Sequence, residues 1–276
     1  MENIKQYLKS KEFIVCLLLM SILIIISIID YIRYPITYKY SGAVVEWMNR
    51  FSFWNHTMYY HASGLIMFLS PFIITVLSLS AFFDKVKGSY LKDVLLREKY
   101  RSFLTKEILF SYVKTIFPFL FLSLVVFIIG CLFYTDKIVN YTYADLYTEF
   151  DYIGHFGPYT YIFLCHIAMF LYIVMVTNLG FIVFRFTKKF SVSLILTFAL
   201  INTLNFLIGN VDKILKSFLG NHFLVQFLEN FNIYEGYMVQ STVTHAIFSM
   251  SILVFITTII VYFLYRNKER LVMDFD

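Results

Sequence analysis

Charge is scarce in this sequence. Asp, Glu, Lys and Arg make up only 15% of its 276 residues, against roughly a quarter in a soluble globular domain, while 59% of the chain is apolar and 20% aromatic. That balance excludes a water-soluble fold. Cysteine is sparse too, and Cys16, Cys131 and Cys165 all fall inside apolar runs, where the residue acts as a small hydrophobe; no disulfide framework is expected. None of the ten glycines precedes a lysine, so the phosphate loop G-x-x-x-x-G-K-[ST] is missing and the chain cannot hold ATP in that manner. The H-E-x-x-H zinc motif and the G-x-S-x-G nucleophile elbow are missing as well. Of the six histidines, the closest pair, His56 and His61, is five residues apart, whereas two ligands on one helical face need a separation of three or four. No metal site and no catalytic residue is expected.

What the chain has in abundance is long apolar runs. Six lie near 13–32, 62–83, 108–133, 160–184, 190–208 and 246–265, each close to the roughly 20 residues that a helix needs to cross hydrocarbon. Barrel strands would be shorter and would alternate. The predicted fold is therefore all-α, a single transmembrane domain over 1–276 with six transmembrane helices. Lys5, Lys9 and Lys11 precede the first run as in a signal peptide, but no small-residue cleavage site follows, so a retained span is expected.

The basic residues are distributed unevenly between the loops. Sixteen Lys and Arg fall in the N-terminal tail, 84–107, 185–189 and 266–270, and six in the alternate loops, while the acidic residues divide nine and nine. A specifically basic bias places both termini in the cytoplasm of a multi-pass cell-membrane protein. The net charge of +5 then meets anionic lipid head groups, and no nucleic-acid partner is implied. Residues 1–12 set Ile4, Tyr7 and Leu8 at helical spacing among lysines, the pattern of an interfacial helix. The outer loop 33–61 is rich in Tyr, Phe and Trp, which suits anchoring at the membrane boundary or a cap that touches substrate. An acidic loop over 134–159 could draw a cationic substrate or simply be solvated. Residues 209–245 keep an apolar periodicity interrupted at Gly220 and Asn221, which fits a re-entrant outer hairpin of two short helices before the last span.

The segment 84–107, DKVKGSYLKDVLLREKYRSFLTKE, holds seven of the 23 basic residues. Tyr90, Leu91, Val94 and Leu95 share one helical face, Lys92, Asp93 and Lys99 point away, and Arg97 lies at the border. A helix of this kind, parallel to the bilayer, can seat in a groove of a soluble partner and pass rigid-body motion to the spans. Asp84, Gly88, Leu91, Leu95, Leu96, Arg101 and Lys106, leading into a span, resemble the loop of type-2 ABC transporter permeases, and the layout of the whole chain is similar to theirs. The Pro often found before the Arg in that family is replaced here by Glu98, Lys99 and Tyr100. The resemblance implies a coupling helix that sits on a separate ATP-binding subunit, with ATP and Mg held by that partner and no cofactor bound by this chain, and a second permease subunit, identical or related.

Within the spans polar groups are few. Lys114 is expected to snorkel toward head groups, the alternative being a cavity-facing or lipid-contacting role, and His166, Asn202 and Asn205 to hydrogen-bond between helices. Ser70, Pro71 and Pro118 mark sites where the second and third spans can kink. Ser70, Pro71, Asn202 and Asn205 are the candidate pathway residues. The expected function is the permease subunit of an ATP-driven exporter of an amphiphilic cargo, such as an antimicrobial peptide or a lipid-like molecule. The alternatives are a secondary transporter driven by an ion gradient and an intramembrane enzyme acting on lipid or peptide.

Overall fold

The computed structural model describes residues 7–37, 49–59, 63–87, 99–134, 157–219 and 243–266. They form seven helices: α1 (Lys11–Thr37), α2 (Arg50–Tyr59), α3 (Ser63–Lys87), α4 (Tyr100–Phe133), α5 (Pro158–Thr187), α6 (Phe190–Leu219) and α7 (Val243–Tyr265). No strand occurs among the described residues. Five of the helices, α1, α3, α4, α5 and α7, are long and apolar enough to cross a membrane. Helix α6 is continuous over 30 residues, running past position 208 without a break, and its described apolar stretch is Phe190–Leu204. Residues 220–242 of the expected outer hairpin, and 1–6 of the expected interfacial helix, lie outside the described residues.

Helix starts follow local chemistry. Ser10 caps α1, its hydroxyl accepting the backbone N–H of Phe13 at 3.2 Å, and Asn49 caps α2 through Oδ1 to the N–H of Phe51 at 2.9 Å; each supplies an acceptor that the first turn lacks. Gly157 (φ 75°) and Pro158 open α5, and Lys188 closes it in the left-handed conformation (φ 57°), its N–H donating to Phe184 O. Only Lys188 and Lys189 separate α5 from α6, so the two form a tight antiparallel hairpin.

Side-chain contacts show that the long helices alternate in direction. Phe82 on α3 meets Phe181 on α5 and Tyr265 on α7, which places the C-terminal ends of all three together. Tyr100, at the start of α4, donates to Tyr265 O at 2.7 Å, and Phe190, at the start of α6, lies against Phe83. At the opposite end Tyr31 of α1 meets Tyr134, just beyond α4. The end that carries Tyr100 and Tyr265 is called the base below. Helices α3 and α5 form the centre, with 56% and 67% of their apolar windows buried against 22% for α7. Helix α1 shows why: it buries Phe13, Cys16, Met20, Leu23, Ser27 and Tyr31 along one stripe and exposes Val15, Leu18, Ile22 and Ile29 on the other, a one-sided helix whose outer face suits lipid.

Helix α4, at 34 residues, is about 51 Å long, well beyond the roughly 30 Å of hydrocarbon. Its far end is apolar, with Leu132 and Phe133 exposed, and its first two turns carry Arg101, Lys106 and Glu107, so the surplus lies at the base. Expectation placed the span at 108–133; the helix begins eight residues earlier because Tyr100, Phe103 and Leu104 are buried in the basal aromatic cluster.

Helix α2 departs most from expectation. Phe53 and Trp54 of α2 are each only 1% exposed, and Phe51 and Met58 are buried as well. Helix α2 packs against α1, α3 and α4. Phe51, Phe53 and Trp54 thus face protein, and the interfacial anchoring predicted for these three is corrected. Gly130 is the reason the helices approach so closely: a Cβ there would lie 3.1 Å from Phe53 Cδ1 and 3.2 Å from the Arg50 carbonyl oxygen.

Candidate functional site at the base of the bundle

The 84–107 segment is anchored at both ends. Lys85 Nζ donates to Glu107 Oε1 at 2.9 Å and Oε2 at 2.8 Å, joining the last turn of α3 to the second turn of α4. Both partners are largely shielded, with exposures of 13% and 16%, where a charge pair is screened less than at the surface. Next to this clasp, Tyr100 donates to Tyr265 O and Tyr265 donates to Phe181 O at 2.9 Å, so one chain of phenols binds α4 to α7 and α7 to α5. Arg185, in the last turn of α5, lies with its guanidinium 5.9 Å from the Tyr265 ring centroid, and a cation there also meets the negative end of the helix dipole. Phe82, Phe181, Phe184 and Val261 fill the space between. The base therefore joins the ends of α3, α4, α5 and α7 as one packed unit.

Of the residues expected to couple to an ATPase, Asp84 is exposed near the end of α3 and Arg101 is exposed in the first turn of α4. Gly88, Leu91, Lys92, Asp93, Val94, Leu95 and Arg97 lie outside the described residues. The expected pathway residues are not brought to one point. Ser70 is buried and bonded to the Tyr172 hydroxyl on α5 at 2.9 Å. Pro71 is buried within α3, its carbonyl accepting the Thr75 hydroxyl at 2.6 Å. Asn202 donates to Phe198 O of its own helix at 2.8 Å; the side chain of Asn205 lies outside the described residues, as do those of every histidine except His166.

Three polar arrangements lie inside the bundle, of which the interhelical bond of His166 was expected and the other two were not foreseen. Lys114 is 3% exposed, with Nζ 5.0 Å from the Tyr7 ring centroid and 4.4 Å from that of Phe110, while Tyr7 donates to Lys114 O at 2.7 Å. The snorkelling expected of Lys114 is corrected: two ring faces cover the ammonium and attract it. Burial lifts the Tyr7 phenol far above its ordinary range, which keeps it a donor. Asn178, on α5, accepts from the Tyr112 hydroxyl at 2.5 Å and donates to Thr257 and Thr258 at 3.1 and 3.0 Å, linking α4, α5 and α7. The signal for it was a lone carboxamide in the middle of a long apolar helix. Finally, Trp54 Nε1 donates to Ser123 Oγ at 3.0 Å, Ser123 lies 2.8 Å from His166 Nε2, and His166 Nδ1 lies 2.7 Å from Ile162 O. A carbonyl only accepts, so Nδ1 carries a proton; in the neutral imidazole Nε2 then accepts a hydrogen bond from the Ser123 hydroxyl.

Among the described residues no group of three or more His, Cys, Asp or Glu is placed to hold a metal ion. The architecture is that of a multi-pass helical membrane protein. No protein-family model, curated protein or solved structure matches the chain.

Proposed function

We propose that the chain is the permease subunit of an ATP-driven exporter of the ABC type, with six spans, both termini cytoplasmic and the base facing the cytoplasm. The observation that carries this is the Lys85–Glu107 clasp at the root of the basic 84–107 segment, set against the phenol chain from Tyr100 to Tyr265 and Phe181. A push on the segment is delivered to the ends of four helices at once, because a packed core moves as a body. The engine is a separate ATP-binding subunit that holds ATP and Mg, and a second permease, a copy or a relative, completes the pathway. The cargo is amphiphilic, a hydrophobic peptide or lipid-like molecule, in keeping with the shortage of charge along the spans.

The test is ATP hydrolysis by the assembled complex in lipid, with and without Leu95→Asp. The expected result is normal assembly with loss of substrate-stimulated hydrolysis; unchanged stimulation rules out the coupling role. His166, held inside the bundle by Ser123, is the observation that favours an ion-gradient transporter instead, since ionisable groups within the membrane mark proton relays. Gradient-driven transport by the purified chain without ATP decides for that alternative.

A further inference from the structure

Around the Tyr100–Tyr265 bond the chain assembles cations from three helices. Arg266 directly follows Tyr265, and Arg101 directly follows Tyr100, whose hydroxyl donates to the Tyr265 carbonyl at 2.7 Å. Arg185 sets its guanidinium 5.9 Å from the Tyr265 ring centroid. Lys188, three residues or about one turn further on, closes α5. Arg101, Lys188 and Arg266 are exposed, whereas Tyr265 is fully buried and Arg185 is 9% exposed. The floor of the cluster is therefore packed protein and its charged rim is accessible.

Little on the neighbouring helices offsets this charge. Helices α5 and α7 contain no Asp or Glu. Of the acids described at this end, Glu107 is bonded to Lys85, Asp84 lies on α3 and Glu12 on α1. The position of the cations along the spans points to lipid. By length and composition the spans of α5 and α7 end at Thr187 and Tyr265, so Lys188 and Arg266 are the first residues past the apolar runs, at the level of the headgroups. Just before them Phe186, Tyr262 and Phe263 are exposed, a surface that suits acyl chains.

We infer that this cluster is a headgroup site for an anionic phospholipid, with the phosphate among Arg101, Lys188 and Arg266 and the acyl chains along the exposed apolar ends of α5 and α7. Basic pockets between transmembrane helices take such headgroups, and a guanidinium meets phosphate oxygens with two parallel donors. The inference needs the multi-pass architecture and not an ATP-driven engine, so it stands or falls separately from the permease reading.

The test uses the full chain in a neutral detergent, titrated with phosphatidylglycerol or phosphatidylcholine, with bound lipid counted by native mass spectrometry. The expected result is preferential binding of phosphatidylglycerol. Arg101→Gln, Lys188→Gln and Arg266→Gln should each weaken it about fivefold, the share of one basic residue beside an anionic lipid, while Lys188→Arg and Arg266→Lys keep the charge and retain most of the binding. Lys9→Gln and Lys11→Gln, at exposed positions where α1 begins, should leave it unchanged. Equal losses in the Lys9 and Lys11 variants mean diffuse attraction, and equal binding of the two lipids means no headgroup selection; either overturns the site. So does displacement of the lipid by millimolar inorganic phosphate, which assigns the cluster to a free anion, or binding of polyglutamate in place of the lipid, which assigns it to an acidic protein.

Discussion

Replacing Asn178 by leucine should loosen the bundle by an amount that can be worked out group by group. Asn178 makes three interhelical hydrogen bonds, to Tyr112, Thr257 and Thr258. Such bonds average about 0.6 kcal/mol in membrane proteins and reach about 1.7, so their sum is about 2 kcal/mol. The loss is not shared equally. Thr257 keeps its donor bonded to Leu253 O at 2.8 Å and forfeits only a bond it accepts, whereas the Tyr112 hydroxyl loses its acceptor inside the bundle, which costs about 1–3 kcal/mol by itself. Tyr112→Phe removes that stranded donor. In the Asn178→Leu background it should therefore be neutral or stabilising, while alone it should cost about 1 kcal/mol. The assay is equilibrium unfolding of the four corners of the double-mutant cycle in mixed micelles, and the expected coupling is about 1 kcal/mol. Single-variant effects that add without coupling, or an Asn178→Leu protein as stable as the parent, refute the assignment of Asn178 as the link between α4, α5 and α7.

Three further outcomes follow from the same geometry. Gly130→Leu forces a side chain into the 3.1 Å gap before Phe53; overpacking of this kind costs about 1–3 kcal/mol, and in a Trp47→Phe background the Trp54 emission should shift to the red as α2 is displaced. Lys114→Met should change stability by less than about 1.5 kcal/mol, because removing a buried charge offsets the lost attraction to the Tyr7 and Phe110 rings; a large loss of stability by thermal unfolding contradicts the ring-capped arrangement. Glu107→Gln removes the Glu107 carboxylate from Lys85 and should lower stability by about 1–2 kcal/mol, with the exchange Lys85→Glu and Glu107→Lys recovering most of it; the same unfolding measurement decides.

Hydropathy revealed the helices that meet lipid, since α1, α4 and α7 expose apolar faces and apolar runs are what the bilayer demands. It could not mark where those helices end. Arg101, Lys106 and Glu107 interrupt the apolar run, yet Tyr100, Phe103 and Leu104 still pack on the basal side, because amphipathic helix at a boundary needs only one apolar stripe. Helix α2 was hidden for a related reason. Its sequence RFSFWNHTMY mixes aromatic and polar residues as an interfacial belt does, and only Gly130, distant in sequence, shows that a helix can press in there. Lys114 was misplaced because one dimension cannot show that Tyr7, 107 positions away, returns to cover it. For the base, the sequence singled out the 84–107 segment by its basic density, whereas the partnership of Lys85 with Glu107 and of Tyr100 with Tyr265 depends on tertiary contacts that no local pattern encodes.

The most direct test of the central claim is affinity purification of the tagged full-length chain from native membranes in mild detergent, with mass spectrometry of what accompanies it. Recovery of a Walker-motif ATPase, lost on Leu95→Asp while the chain stays folded, is the predicted result. A folded chain that comes away without an ATPase partner contradicts it.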